Sequence, residues 1–194
     1  MLVAISGKAG SGKSTLAHLL AERLPGARVY SFADALRDEV AREFGIPREW
    51  TKERKLELMP TDFYCPVCNG WQMERPMLIR EVLQEWGAFK RSKDLDYWIK
   101  RLDDRIRAEG ARYAIIDDLR YQNELEWVRA SEGVAVRVEP LGWRLPSCPA
   151  HVSETELDEV SFQLKFKVRW GQAHLEDLAD TLTLGGDPEG YLSN

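Results

Sequence analysis

The sequence has no apolar run approaching the roughly 20 residues of a membrane-spanning helix. Its opening segment, MLVAISGKAGSGKST, has no basic stretch ahead of a hydrophobic one. We therefore expect no membrane partner, no secretory signal and a cytoplasmic chain. Cysteine is scarce, with three residues in 194, which argues against a disulfide framework where thiols stay reduced. There is no basic excess: 27 Lys and Arg stand against 32 Asp and Glu, a net charge of −5, so a protein that coats a nucleic-acid backbone is not expected. Internal repeats, low-complexity tracts and an N-K-x-D segment are also missing. Disorder is excluded by composition, since 44% of residues are hydrophobic and only 30% charged.

What is present is an alternation of short apolar runs and amphipathic stretches. Leu2 to Ser6 is a continuous apolar run ended by glycine and is expected as a buried strand. Lys13 to Leu24 places Leu16, Leu20 and Leu24 at helical spacing and stops at Pro25-Gly26. Further strands are expected over Val29 to Phe32, Tyr113 to Asp117, Val134 to Val138 and Leu164 to Val168. Further helices are expected over Asp34 to Phe44, Thr51 to Met59, Met77 to Trp86, Gln122 to Ala130 and Ala173 to Thr181. One more carries Leu95, Trp98, Ile99, Leu102 and Ile106, with Asp94 as its cap. Such alternation predicts an α/β chain with a parallel sheet and helices on both faces, and ligands at the carboxyl ends of the strands. The loops after Ser6, Phe32, Asp117 and Val138 should surround the site.

Gly7-Lys8-Ala9-Gly10-Ser11-Gly12-Lys13-Ser14 fits G-x-x-x-x-G-K-[ST], followed by Thr15. Glycines at these positions let successive backbone N–H groups turn inward toward phosphate oxygens, and the following helix adds its positive end. Lys13 is expected on the β- and γ-phosphates and Ser14 on Mg²⁺, while Gly7, Gly10, Ser11, Gly12 and Thr15 complete the cradle. The motif sits between a strand and a helix, as a P-loop requires. The architecture is then the three-layer P-loop NTPase fold, a single domain over residues 1–194, with ATP and Mg²⁺ as cofactors.

Ala114-Ile115-Ile116-Asp117-Asp118 is an apolar strand ending in carboxylates. One of them can hold the Mg²⁺ water shell, as assigned to Asp117, or act on an acceptor; spacing does not decide between the two. Phosphoryl transfer also needs fixed cations. Arg80, Arg91, Arg120 and Arg144 lie at or beside expected loops and helix starts, and Arg120 shares its loop with the acids. Asp34 follows a strand and can face the acceptor or cap a helix.

Five stretches, GKAGSGKSTLA, SFADALRDEV, REVLQEWGAFKRSKDLDYWIK, IIDDLRYQNELEWV and HVSETELD, resemble in this order the phage-type deoxynucleoside monophosphate kinases, a branch of the P-loop nucleoside monophosphate kinases. The D-x-R-Y-x-N-E core of the fourth and the H-x-S-E of the fifth are the most specific. The resemblance implies transfer of phosphate from ATP to a deoxynucleoside 5′-monophosphate. It puts Lys13 and Ser14 on ATP–Mg²⁺, Asp34 near the acceptor, and Arg80 and Arg91 around the acceptor phosphate. Asp118 and Arg120 fall in the strand-end motif, and residues 140–153, with Arg144 and His151, act as a lid. It also implies a host-cell cytoplasm if a phage encodes the chain, and a homodimer is compatible with it. The chain departs from the pattern at Glu139-Pro140, at Arg169-Trp170-Gly171 and in an apparent insertion, Thr61 to Pro76. A kinase of small metabolites and a slowly hydrolysing nucleotide switch remain the alternatives.

Within the insertion, Cys65-Pro66-Val67-Cys68 has the spacing of a zinc knuckle, and Cys148 with His151 supplies a second pair at the same spacing. Together they would make a closed, structural Zn²⁺ site. The competing reading is buried thiols, with His151 serving the H-x-S-E stretch. His18 and His174 read as helix residues. Trp86, Trp98 and Trp127 read as core, and Trp50, Trp71 and Trp143 as loop aromatics that can pack or stack on a base.

Overall fold

The computed structural model describes residues 1–60, 76–141, 155–169 and 171–184. Along the chain run β1 (Leu2–Ser6), α1 (Lys13–Arg23), β2 (Ala27–Tyr30), α2 (Phe32–Phe44), α3 (Trp50–Glu53), α4 (Ile79–Lys93), α5 (Tyr97–Glu109), β3 (Tyr113–Leu119), α6 (Gln122–Ala130), β4 (Val134–Pro140), β5 (Leu164–Val168) and α7 (Gln172–Leu184). They divide into two compact units, Met1–Ser31 with Asp103–Asn194, and Phe32–Leu102.

The first unit is built on one sheet in the order β2-β3-β1-β4-β5, every pair parallel. β1 lies at the centre and all five of its residues are buried, which is why it reads as an unbroken apolar run rather than an alternating one. Val3, Ile5, Ile115, Val136, Val138 and Phe166 form one face of the sheet with Leu16 and Leu20 of α1 and Leu175 and Leu178 of α7. Residues alternate across a strand, so Leu2, Ala4, Ala114 and Ile116 turn to the opposite face, where α6 packs with buried Leu125 and Val128. Strand order and alternation thus confirm the expected parallel sheet, and bring the carboxyl ends of β1, β3 and β4 side by side.

The register of β1 on β3 contains an irregularity. Ala4 faces Ile116, whereas Ser6 faces Leu119, so β3 holds one more residue than β1 over this stretch. The extra residue falls on Asp117-Asp118. A bulge of this kind bends the strand and re-aims its side chains.

In the second unit, Val40, Phe44, Ile79, Val82 and Trp86 are buried, with Phe44 and Trp86 edge to face at 5.4 Å. The polar centre of this unit is Glu39, which is only 4% exposed. Its carboxylate accepts hydrogen bonds from the Trp86 indole at 3.0 Å and the Tyr97 hydroxyl at 2.7 Å, and pairs with the Lys90 ammonium at 2.8 Å. Burial pushes the Glu39 carboxyl up, but these donors, Lys90 first, outweigh it and hold it below its ordinary value.

Several boundaries differ from the sequence expectation. The helix expected to end at Trp86 continues to Lys93 because Gly87 is buried within it and its carbonyl accepts the Trp98 indole N–H at 3.2 Å. The helix expected over Thr51 to Met59 is a single turn, and the chain instead makes an isolated bridge between Leu58 and Leu78. β2 begins earlier, at Ala27, and Phe32 already starts α2, so Asp34 lies in the first turn rather than capping it. Leu95 is not core: it is 63% exposed, in the turn before α5. Asp94 ends α4 and pairs with Lys100 instead of capping the next helix. Trp86 and Trp98 are buried as expected, while Trp127 is half-buried.

Candidate active site

The segment from Gly7 to Gly12 forms a tight loop between β1 and α1, and Lys13 and Ser14 begin the helix. Gly7, Gly10 and Gly12 have φ of +152°, +79° and +91°, which L side chains rarely adopt. Gly7 is also sterically required: a Cβ there would meet the Val138 carbonyl oxygen at 2.5 Å and the Ser11 Oγ at 2.6 Å. Lys8 is the hub of the loop. Its carbonyl accepts the Ser11 N–H at 3.1 Å and the Lys13 ammonium at 2.7 Å. Lys13 is buried, with its charge folded onto the loop. Ser11 is 1% exposed, and its Oγ is a buried side-chain atom without a hydrogen-bond partner among the described residues. An orphaned buried hydroxyl inside a cradle of glycines fits a phosphate oxygen as its missing partner.

Ser14 and Thr15 are exposed at the first turn of α1. The Ser14 hydroxyl donates to the Asp117 carboxylate at 2.7 Å, while the Ser31 hydroxyl donates to Asp118 at 2.6 Å. The register irregularity in β3 falls on these two aspartates, and they have different partners. The pair Ser14 and Asp117 presents hard oxygen donors beside the phosphate cradle, the donor set that suits Mg²⁺ bound by one or two protein groups plus phosphates. Among the described residues, no group of three or more His, Cys, Asp or Glu side chains could hold a metal by itself.

Arg120 follows β3. Its backbone N–H and that of Tyr121 both donate to the carboxylate of Glu124, at 2.9 and 3.0 Å. Glu124 is 3% exposed and sits in the first turn of α6, so it fixes the loop that carries Arg120. This explains the spacing within D-x-R-Y-x-N-E: the glutamate closes the turn.

Two charged residues, Arg137 and Asp158, had no role assigned from the sequence. Arg137, on β4, is 7% exposed; it donates to Ser6 Oγ at 3.0 Å and to Asp158 at 2.8 Å. Asp158 also takes the Lys8 ammonium at 2.5 Å. Burial raises the Asp158 carboxyl, but the bonds from Lys8 and Arg137 outweigh that and hold it below its usual range. A signal for Arg137 existed: one arginine interrupts the apolar run Val134-Ala135-Val136-Arg137-Val138, and a charge on a buried strand needs a partner.

The remaining sequence candidates belong elsewhere. Asp34, in the second unit, accepts from Arg37 at 3.1 Å and Arg48 at 3.0 Å. Arg80 and Arg91 lie at the start and near the end of α4, both half-buried. Arg91 lies against Gly87: a Cβ there would be 3.2 Å from its Nη1. Trp50 is covered by Arg54, whose guanidinium lies 4.1 Å from the ring centroid. His18 is exposed, and His174 Nδ1 accepts the Arg169 backbone N–H at 2.8 Å. Arg144, Cys65, Cys68, Cys148, His151, Trp71 and Trp143 lie outside the described residues, as do the expected lid and zinc site. No described helix is long and apolar enough to cross a membrane.

Residues 3–142 match the family described as AAA domain. Among solved structures, the chain is similar to TT1252 from Thermus thermophilus, at 17% identity over 95% of this chain and 96% of that one, with a TM-score of 0.49. It is similar to the tunicamycin resistance protein of Deinococcus radiodurans, at 15% identity over 95% and 94%, TM-score 0.48. It is also similar to the shikimate kinase of Bacteroides thetaiotaomicron, at 13% identity over 95% and 97%, TM-score 0.46. No curated protein matches it. The matched family spans the phosphate loop, the acidic strand end and the whole β4 strand, so the chain belongs to the AAA domain family and has the α/β fold of a P-loop NTPase.

Proposed function

We propose that the protein is an ATP-dependent phosphotransferase whose acceptor is a deoxynucleoside 5′-monophosphate. The observation that carries the phosphotransfer reading is the 2.7 Å bond between Ser14 and Asp117 beside a glycine cradle with an orphaned serine hydroxyl. The acceptor is supported by the resemblance of the five sequence stretches to the phage-type deoxynucleoside monophosphate kinases.

In this reading Gly7, Gly10, Ser11 and Gly12 hold the phosphates through backbone N–H groups, and Thr15 adds its hydroxyl at the helix start. Lys13 exchanges the Lys8 carbonyl for phosphate oxygens, where its charge offsets what develops during transfer. Ser14 and, through water, Asp117 would hold Mg²⁺, which would supply charge neutralisation for the phosphates. Arg120 stabilises the transferring group from its glutamate-fixed turn. Arg80 and Arg91 bind the acceptor phosphate, Asp34 the acceptor itself, and Arg144 covers it. Asp118 orients the acceptor together with Ser31. The nucleophile is already an anionic phosphate oxygen, so positioning rather than proton abstraction is what the residues must provide.

The separate Asp118–Ser31 pair favours one second reading. A carboxylate distinct from the magnesium group can take a proton from an acceptor hydroxyl, as a small-metabolite kinase requires. Product analysis separates the two. Incubation with ATP, Mg²⁺ and a deoxynucleoside monophosphate should yield the nucleoside diphosphate. A phosphate monoester formed only on hydroxyl acceptors would overturn the first reading in favour of the second.

A further inference from the structure

A closed ring of polar contacts surrounds the first glycine of the phosphate loop. Ser6, immediately before Gly7, gives its Oγ to Arg137, and Lys8, immediately after it, gives its ammonium to Asp158. Arg137 and Asp158 close the ring at 2.8 Å. Gly7 thus lies in a bracket whose other side is formed by Arg137, 131 positions from Ser6, and Asp158, 150 positions from Lys8. Inside the loop, the Lys8 carbonyl anchors Ser11 and Lys13. Outside it, the Lys8 side chain has Asp158 as its acceptor.

We propose that Asp158 is a positioning residue for nucleotide binding: by gripping Lys8 from the platform of buried Arg137, it holds the phosphate loop in its binding shape before the nucleotide arrives. Two features support this role over a merely local surface pair. Arg137 is 7% exposed and fixed at both ends, so Asp158 has a rigid mount. The Lys8 carbonyl accepts from both Ser11 and Lys13, so freedom at Lys8 passes directly to the two phosphate-facing residues. Glu156, two residues earlier, accepts the Gln122 backbone N–H at 2.8 Å and fixes the same segment to the start of α6. Preorganisation of this kind lowers the ordering cost of binding without adding a contact to the ligand.

Charge alone makes the opposite forecast. Asp158 is an anion beside a site for an anion, and its removal would then tighten binding. The inference rests on the P-loop reading for nucleotide binding but not on the acceptor, so the test uses ADP titrated into the full chain with Mg²⁺, followed by calorimetry, with no transfer required. For Asp158→Asn we expect the dissociation constant to rise about fivefold, the scale of losing one half-exposed charged pair. Lys8→Met should weaken binding equally, and the double variant should be no weaker than either single one, because both break the same contact. Asp158→Glu should recover part of the affinity, which a purely structural lesion would not allow. Thermal unfolding of each variant identifies any that fails to fold, in which case Lys8→Met decides alone. Unchanged or tighter ADP binding by folded Asp158→Asn or Lys8→Met, or additive losses in the double variant, overturns the proposal. Wild type that binds no ADP overturns the P-loop reading instead.

Discussion

The Ser14 hydroxyl and the Asp117 carboxylate, 103 residues apart in sequence, meet at 2.7 Å where β3 bulges beside the phosphate loop. Asp118, the next residue, bonds Ser31 instead. Two adjacent acids that look interchangeable in the sequence thus have separable assignments.

Their substitution should separate them. Asp117→Asn is expected to lower kcat by about a hundredfold, the usual scale for removing one preorganised electrostatic group, and to raise the Mg²⁺ concentration needed for half-maximal rate. Asp118→Asn should instead act mainly on the KM of the acceptor. Steady-state kinetics at varied Mg²⁺ and varied acceptor distinguishes the two, and identical profiles would contradict the division.

Gly7→Ala should damage both folding and nucleotide binding. The new methyl would approach the Val138 carbonyl, a backbone atom that cannot rotate away, at a φ that alanine disfavours. A destabilisation of about 2 kcal/mol or more is expected in chemical denaturation. A variant with wild-type stability would mean that the loop relaxes more freely than its contacts imply.

Gly87→Ala should do the reverse. The added methyl meets the flexible end of Arg91 and the Leu36 side chain, so the fold can absorb it, and alanine favours a helix interior by up to about 1 kcal/mol. Stability should hold or rise, while displacement of Arg91 raises the acceptor KM. An unchanged acceptor KM would remove Arg91 from the acceptor site.

Glu39 sets an acid limit on stability. Its carboxyl lies below the ordinary value in the fold, so the unfolded chain binds its proton first as pH falls. The contribution is complete above about pH 4.3, the ordinary value for glutamate, and is lost as pH falls through the lower folded value. Replacement by glutamine should cost about 3 kcal/mol at neutral pH, because Lys90 is left without its counter-charge. Denaturation at pH 7 and at pH 3 should show the gap between wild type and Glu39→Gln shrinking toward the acid end; a gap independent of pH would sink this account.

Legibility in the sequence followed the range of the interaction. The phosphate loop is written in eight consecutive residues, and the central strands in runs of Val, Ile and Ala, so both are local signals. Even Glu124 carries a local signal, since it closes its turn within four positions. Arg137, Asp158 and Lys8 are different: each contact spans at least 21 residues, and the charge pattern names no partner until the strands are ordered. The helix expected over Met77 to Trp86 runs on to Lys93 for a related reason. A glycine suggests a helix end, whereas here close packing against Leu36 and a bond from Trp98 carry the helix through it. Leu95 fits the helical spacing of the residues after it, but it falls in the turn before α5, where periodicity has no meaning.

The most direct test of the account is ADP release from ATP and Mg²⁺ by the wild-type chain and by Lys13→Ala, against the four deoxynucleoside monophosphates and their ribose counterparts. The account predicts strong stimulation by at least one deoxynucleotide, with its diphosphate as product, and none with Lys13→Ala. ADP release indifferent to every monophosphate, or turnover retained without Lys13, would contradict it.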